Sequence, residues 1–225
     1  MDLLVNKEFW TPVWLSMKTA AIAGMIVIVL GTIAGRLLAR KNFRGKVLLE
    51  TILLLPMVLP PTVVGFFLIV IFGKNSPVGQ FLEWLFQQPV IFTWYAAVIA
   101  AVVVAFPLMY QSAKAGFEAI DKNIEDAARI DGASEWRIFL YISIPLASKS
   151  LISGSILSFA RALGEFGATL MFAGNIPGET QTIPTAIYIA IESGNMTWAW
   201  MWCISIFLLS FVLLLVVQLK NKRRL

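Results

Sequence analysis

Residues 90–112 read VIFTWYAAVIAAVVVAFPLMYQS, a stretch without a single charged side chain. Wound as a helix at about 1.5 Å per residue, it covers the roughly 30 Å of hydrocarbon in a bilayer. Its middle, VIAAVVVAF at 98–106, lacks the apolar–polar alternation of a barrel strand, as does FLLSFVLLLVV at 207–217. Working outward from 90–112, four more apolar segments stand at 14–36, 49–72, 148–173 and 198–219. The expectation is an all-α, polytopic helical membrane protein with five spans in a single domain covering 1–225.

Composition narrows the chemistry. Of 225 residues, 59% are apolar and 14% charged, against about 25% charged in an average soluble domain. No polar stretch is long enough to hold a separate soluble domain. Histidine is absent, which excludes histidine bases, Ser-His-Asp hydrolysis and histidine-ligated metals or haem. The one cysteine, Cys203, lies in an apolar run and reads as a small hydrophobe. No metal, cofactor or catalytic residue is expected. No G-x-x-x-x-G-K-[ST] phosphate loop occurs, so any ATP is hydrolysed by another chain.

The net charge of +5 matters through its placement and does not point to nucleic acid. Arg36, Arg40, Lys41, Arg44 and Lys46 follow the first span; Lys114, Lys122, Arg129, Arg137 and Lys149 follow the third; Lys220, Lys222, Arg223 and Arg224 form the tail. With five spans, these 14 of 18 basic residues fall on one side, which places the N-terminus outside and the C-terminus in the cytoplasm. Lys7, Lys74 and Lys18, the last near a membrane boundary, belong to the other side. Trp10, Trp14, Trp84, Trp94, Trp198, Trp200 and Trp202 cluster at the outer ends, as interfacial anchors do. The flank MDLLVNKEFWTP lacks a basic n-region and carries Asp2 and Glu8, unlike a cleaved signal peptide.

Pro56, Pro60 and Pro61 remove amide donors from the second span, which is expected to kink or unwind there; Pro107 marks a milder kink in the third. Among the inside segments, 114–147 stands apart: KAGFEAIDKNIEDAARIDGASEWRIFLYISIPLA. Asp121 is placed to cap a helix whose apolar side is Ile124, Ala127 and Ala128, and Gly132 to end it in a left-handed conformation. Ser134 then caps a second helix, with Glu135 in its first turn, running to about Ser143 before Pro145. The pattern fits a docking element, with an amphipathic hairpin on the lipid surface as the alternative.

Asp126-Ala127-Ala128, then Gly132 and Ala133, then Ile142, Ile144 and Pro145 resemble the EAA signature of permease subunits of bacterial binding-protein-dependent ABC importers, with Asp126 in the place of the usual Glu and Ile144 in that of the usual Leu. The resemblance extends over nearly the whole chain. LPMVLPPTVVGF (55–66) and SFARALGEFGATLMFAGNIPGETQTIPTAIY (158–188) look like the molybdate branch, with sulfate permeases as near relatives. It implies a type I ABC importer transmembrane fold in a bacterial or archaeal cytoplasmic membrane. It further implies a homodimer, two cytoplasmic ATPase subunits, an external oxyanion-binding protein, and a role in ATPase coupling for Asp126, Ala127, Ala128, Gly132, Ala133 and Pro145. Molybdate, and with it tungstate, is the expected cargo; sulfate is the alternative. An intramembrane enzyme or a non-transporting assembly protein is a more distant one.

Arg161 and Glu165 fall in the fourth span at i, i+4. A charge in hydrocarbon is costly unless paired or placed in a polar cavity, so the two either lock packing or touch the path of the anion. Small residues around them, from Gly154 to Ala168, allow close helix packing. Thr62, Ser158 and Thr169 are candidate path hydroxyls, because an oxyanion giving up its hydration needs donors. The external segment 174–197, with Pro177, Gly178, Glu179 and Pro184, is too long for a tight turn and is a candidate contact for the binding protein.

Overall fold

In the computed structural model, residues 7–222 are described, with side chains as far as Leu215. Asp2, Arg223 and Arg224 of the charge pattern lie outside the described residues, as do the side chains of Lys220 and Lys222. Among the described residues the chain is helical, without strands. The α-helices are α1 (Lys7–Ala39), α2 (Lys46–Val58), α3 (Pro61–Phe72), α4 (Pro77–Phe86), α5 (Trp94–Glu118), α6 (Lys122–Ile130), α7 (Glu135–Ile138), α8 (Ile144–Leu146), α9 (Ser148–Leu163), α10 (Gly167–Phe172), α11 (Ile183–Glu192) and α12 (Met196–Lys222).

Helices α1, α5 and α12 are each long and apolar enough to cross a membrane. The broken pairs α2 with α3, and α7–α8 with α9, raise the number to as many as five. The second apolar segment is interrupted at Leu59–Pro60, with Pro61 opening α3; Pro56 stays inside α2. The fourth apolar segment departs from a single rod, because α9 stops at Leu163 and α10 starts only at Gly167. Between the second and third segments lies α4, a helix outside all five expected spans.

The chain divides into two compact units. One takes the chain up to Ala23, Leu59–Ala101 and Ala160 onward; the other takes Gly24–Val58 and Val102–Phe159. The second is held by seams of small residues. A Cβ on Gly31 would meet Met109 Cγ at 2.6 Å, and one on Gly35 would meet the Ala113 Cβ at 2.7 Å, so α1 and α5 approach backbone to backbone. On another side of α5, Gly116 lies against Ser150 of α9, and Gly154 of α9 lies against Ser112. Lipid tails are as apolar as leucine, so close contact of this kind, rather than hydrophobic exclusion, holds such helices together.

In the first unit, α3 and α10 pack through Gly65 against Ala168 and Met171, and through the Phe72 and Phe172 rings at 5.7 Å. A separate core joins Phe9, Ile183, Ala186, Ala190, Ala199 and Trp202. Trp202 departs from the expected interfacial anchor: it is buried, and its indole N–H donates to the Phe9 carbonyl at 3.2 Å. The residues beside it on α12 differ in kind, with Trp200 well exposed. Lys18 sits in the apolar first helix with its Nζ 4.0 Å from the centroid of the Trp94 ring, a cation–π contact.

Candidate coupling corner and intramembrane ion pair

The corner after α5 is built locally. Asp121 caps α6 by accepting from the Asn123 amide at 3.0 Å. At its other end, Gly132 takes φ +83°. The Gly132 amide donates to the Arg129 carbonyl and the Ala133 amide to the Ala128 carbonyl, each at 3.0 Å. These are the two bonds of a Schellman motif, which releases the chain in a new direction. Nothing lies within 4 Å of a Cβ placed on Gly132, so handedness and not space selects glycine.

Arg129 braces the corner from outside. Its Nε lies 2.6 Å from Glu135 Oε1 and its Nη1 2.5 Å from Asp126 Oδ1, tying α6 to α7 across Gly132. Asp126, Ala127 and Gly132 are exposed and Ala128 and Ala133 half-buried. Ile130 is 86% and Trp136 67% exposed, two large apolar surfaces beside the corner. The expected apolar side of Ile124, Ala127 and Ala128 is not turned into the chain: Ile124 and Ala127 are exposed, and the residue facing inward is Glu125.

Glu125, 1% exposed, was not singled out from the sequence. Arg36 Nη1 donates to its Oε1 at 2.9 Å, Arg40 Nη1 to its Oε2 at 2.8 Å, and the Ser143 hydroxyl to Oε1 at 2.7 Å. Arg40 also donates to the Ile120 carbonyl. Burial pushes the Glu125 carboxyl up, but the Ser143 hydroxyl and the two guanidinium groups outweigh it and hold the group below its ordinary value. A signal was present: Arg36 and Arg40 stand one turn apart at the end of a hydrophobic helix, where two adjacent cations call for a shared anion.

Ser134 takes the N-cap position of α7 without a side-chain capping bond. The helix does not stop before Pro145. It passes through a π-helical turn, Phe139–Ser143, into α8; the Ile144 amide still donates to the Phe139 carbonyl, and Pro145, which has no N–H to donate, follows directly. The π turn carries Ser143, fully buried, to Glu125.

In the other unit, Arg161 Nη1 and Glu165 Oε2 stand 2.6 Å apart. Glu165 is not one turn further along the same helix. It lies in the break between α9 and α10, buried, where its Oε1 accepts from the Ala168 amide at 2.8 Å and caps α10. Thr169 is buried in α10, whereas Thr62 is exposed in α3, its amide facing the Gly167 backbone. Ser158 belongs to the other unit, fully buried, and its hydroxyl is spent on the Gly154 carbonyl. At the 174–197 segment, Gln181, Ser193, Asn195 and Trp198 line a cavity of about 470 Å³ together with Lys7 and Thr11.

Residues 9–225 match the family described as binding-protein-dependent transport system inner membrane component. The molybdenum transport system permease protein ModB of Escherichia coli (strain K12) is 43% identical, covering 96% of this chain and 95% of that protein. The Bacillus subtilis (strain 168) protein YvgM, itself named provisionally as a molybdenum transport system permease, is 66% identical over 95% of this chain and 94% of its own length. In fold, the chain resembles an inward-facing MetNI methionine ABC transporter chain, with a TM-score of 0.73 at 16% identity over 99% of both chains. A chain of a bacterial ABC transporter importing alginate gives 0.73 at 15% identity, covering 98% of this chain and 80% of that one.

Proposed function

The chain belongs to the binding-protein-dependent transport system inner membrane components, and on that premise we propose that it is the permease subunit of an ATP-driven molybdate importer. As a member it is a non-catalytic membrane transport permease of the ABC class, and a bacterial inner membrane is its setting. The observation that carries the molybdate assignment is the 43% identity to ModB over nearly the full length of both chains. The 66% identity to YvgM supports it.

In this reading two copies form the path, five spans in each, N-terminus outside and C-terminus cytoplasmic. Two ATPase subunits dock on the corner of Asp126, Ala127, Ala128, Gly132 and Ala133, with Pro145 in the helix that leads away from it. The exposed Ile130 and Trp136 supply apolar contact area beside the exposed Asp126. The Arg36–Glu125–Arg40 cluster anchors α6 to the end of α1, so that a push on the corner reaches a long helix rather than a loose loop. Arg161 is balanced by Glu165 and does not present a free cation on which a dianion would be trapped.

Uptake of radiolabelled anions into liposomes tests the assignment, with the permease, its ATPase and its binding protein reconstituted together. Molybdate and tungstate are imported in an ATP-dependent manner, and sulfate is discriminated against. Sulfate carried as well as molybdate, at equal occupancy of the binding protein, places the chain in the sulfate branch instead. Exchanging the binding protein for one of different preference shifts the imported anion more than Thr62→Ala or Thr169→Ala does.

A further inference from the structure

Helix α4 is assembled inside out for a protein in water. Ser76 caps it, its Oγ accepting from the Gly79 amide at 2.8 Å, and Pro77 opens the first turn. The face turned to its own chain holds one large apolar side chain, Leu82, itself only half-buried: Gly79 is buried so tightly under the Phe72 and Gly73 carbonyls that a Cβ would collide with them, and Glu83 is half-buried with Lys74 Nζ at 3.9 Å. The outward face carries Val78, Phe81, Trp84 and Leu85, at 45%, 59%, 72% and 52% exposure. Their spacing of three, four and seven residues puts them on one stripe. A helix at an aqueous surface turns such a stripe inward, so this one requires an apolar medium outside it.

Both ends of α4 join helices that belong to candidate spans. Its first residue follows Phe72, the end of α3, by five positions. At its C-terminus the Phe86 ring stacks on Tyr95, 6.5 Å between centroids, and Tyr95 is the second residue of the long membrane helix α5. In α3, Phe67, Val70 and Ile71 are likewise exposed. The α4 stripe carries no charge with which a polar protein partner would pair.

We propose that α4 is an interfacial helix, its Val78–Phe81–Trp84–Leu85 stripe seated at the headgroup–acyl boundary of the leaflet in which α5 begins. Under the orientation given above this is the outer leaflet. Aromatic rings at the boundary and an uncharged stripe suit that depth. The inference rests on membership in a membrane transport family and is independent of the anion carried.

The test is spin-label accessibility in the full transporter in liposomes. Phe81→Cys and Gln80→Cys are each labelled in a Cys203→Ala background and exposed to molecular oxygen, which partitions into lipid, and to a water-soluble nickel chelate. At position 81 the oxygen-to-nickel ratio is several-fold higher than at position 80. Equal ratios overturn the proposal: low at both positions they place the stripe in water, and high at both they bury the whole helix in lipid. Low accessibility to both reagents at position 81 means that protein covers it, a second copy or the binding protein, and overturns it too. Unmodified transporter treated with a lipid-borne carbene probe provides the second measurement: label appears within 78–85, and label confined to the long helices contradicts the assignment.

Discussion

Arg36 Nη1 and Glu125 Oε1 lie 2.9 Å apart although 89 residues separate them in the chain. The pair fixes a surface helix, α6, to the C-terminal end of α1, and the carboxylate it holds is 1% exposed. Glu125→Ala leaves two guanidinium groups facing each other without their anion. Breaking an enclosed ion pair costs roughly 3–5 kcal/mol; here both arginines keep some solvent, and a loss of about 2 kcal/mol is expected. Thermal unfolding of the detergent-solubilised protein falls accordingly, and Arg36→Ala combined with Glu125→Ala recovers part of it. Equal melting of Glu125→Ala and the parent protein contradicts the anchor.

The same carboxylate sets a pH dependence. Glu125 titrates below its ordinary value of 4.5, so the stabilisation it gives is complete above that value and is lost as pH falls through the folded-state value. A nitroxide at Ile130→Cys, in a Cys203→Ala background, keeps constant mobility from pH 8 down to about pH 5 and loosens only in stronger acid. Loosening between pH 8 and 6 shows that some other group controls the corner.

Gly132 separates handedness from space. Gly132→Val forces a β-branched residue to φ +83°, at a cost of at least about 1–2 kcal/mol. It reduces co-purification of the ATPase while membrane insertion stays intact. Gly132→Asn, which tolerates left-handed backbone and meets nothing within 4 Å at its Cβ, retains most of the complex. Equal loss in both variants means that the side chain, not the backbone, disturbs docking.

Arg161→Ala leaves the buried Glu165 carboxylate beside α10 without its cation. Glu165→Gln added to it removes that charge and keeps an oxygen for the Ala168 amide, so the double variant recovers protein level and uptake relative to Arg161→Ala. Glu165→Ala loses the cap as well and recovers less. Uptake normalised to membrane protein level is the measurement. A double variant no better than Arg161→Ala assigns Arg161 a direct contact with the anion.

The corner was legible where the backbone itself dictates the residue. Asp121 before a helix and Gly132 after it have few other uses, and both stand where the sequence put them. Long uninterrupted apolar runs gave the membrane helices, whose ends nonetheless moved: α1 begins at Lys7, and α5 continues to Glu118. Glu125 was hidden because periodicity places apolar residues inward and cannot foresee a carboxylate there; only two cations from a distant helix make that burial tolerable. Glu165 was misplaced on a continuous helix since Gly164 and Gly167 read as packing residues, although a glycine on each side also permits a break. Helix α4 was missed because its ten residues are too short for a span, and nothing in a short amphipathic pattern says which way it faces.

The π-helical turn at Phe139–Ser143 has one residue more per turn than its α-helical surroundings. The distance from the corner to α9 is thereby a matter of counting as much as chemistry. Replacing the outward Tyr141, 76% exposed, leaves the count unchanged. Deleting it removes the extra residue, lets the turn revert to α-helix and draws the Ser143 hydroxyl away from Glu125. Between Gly132 and Ser148 the polypeptide works as a ruler, and its length is as much a part of its message as its letters.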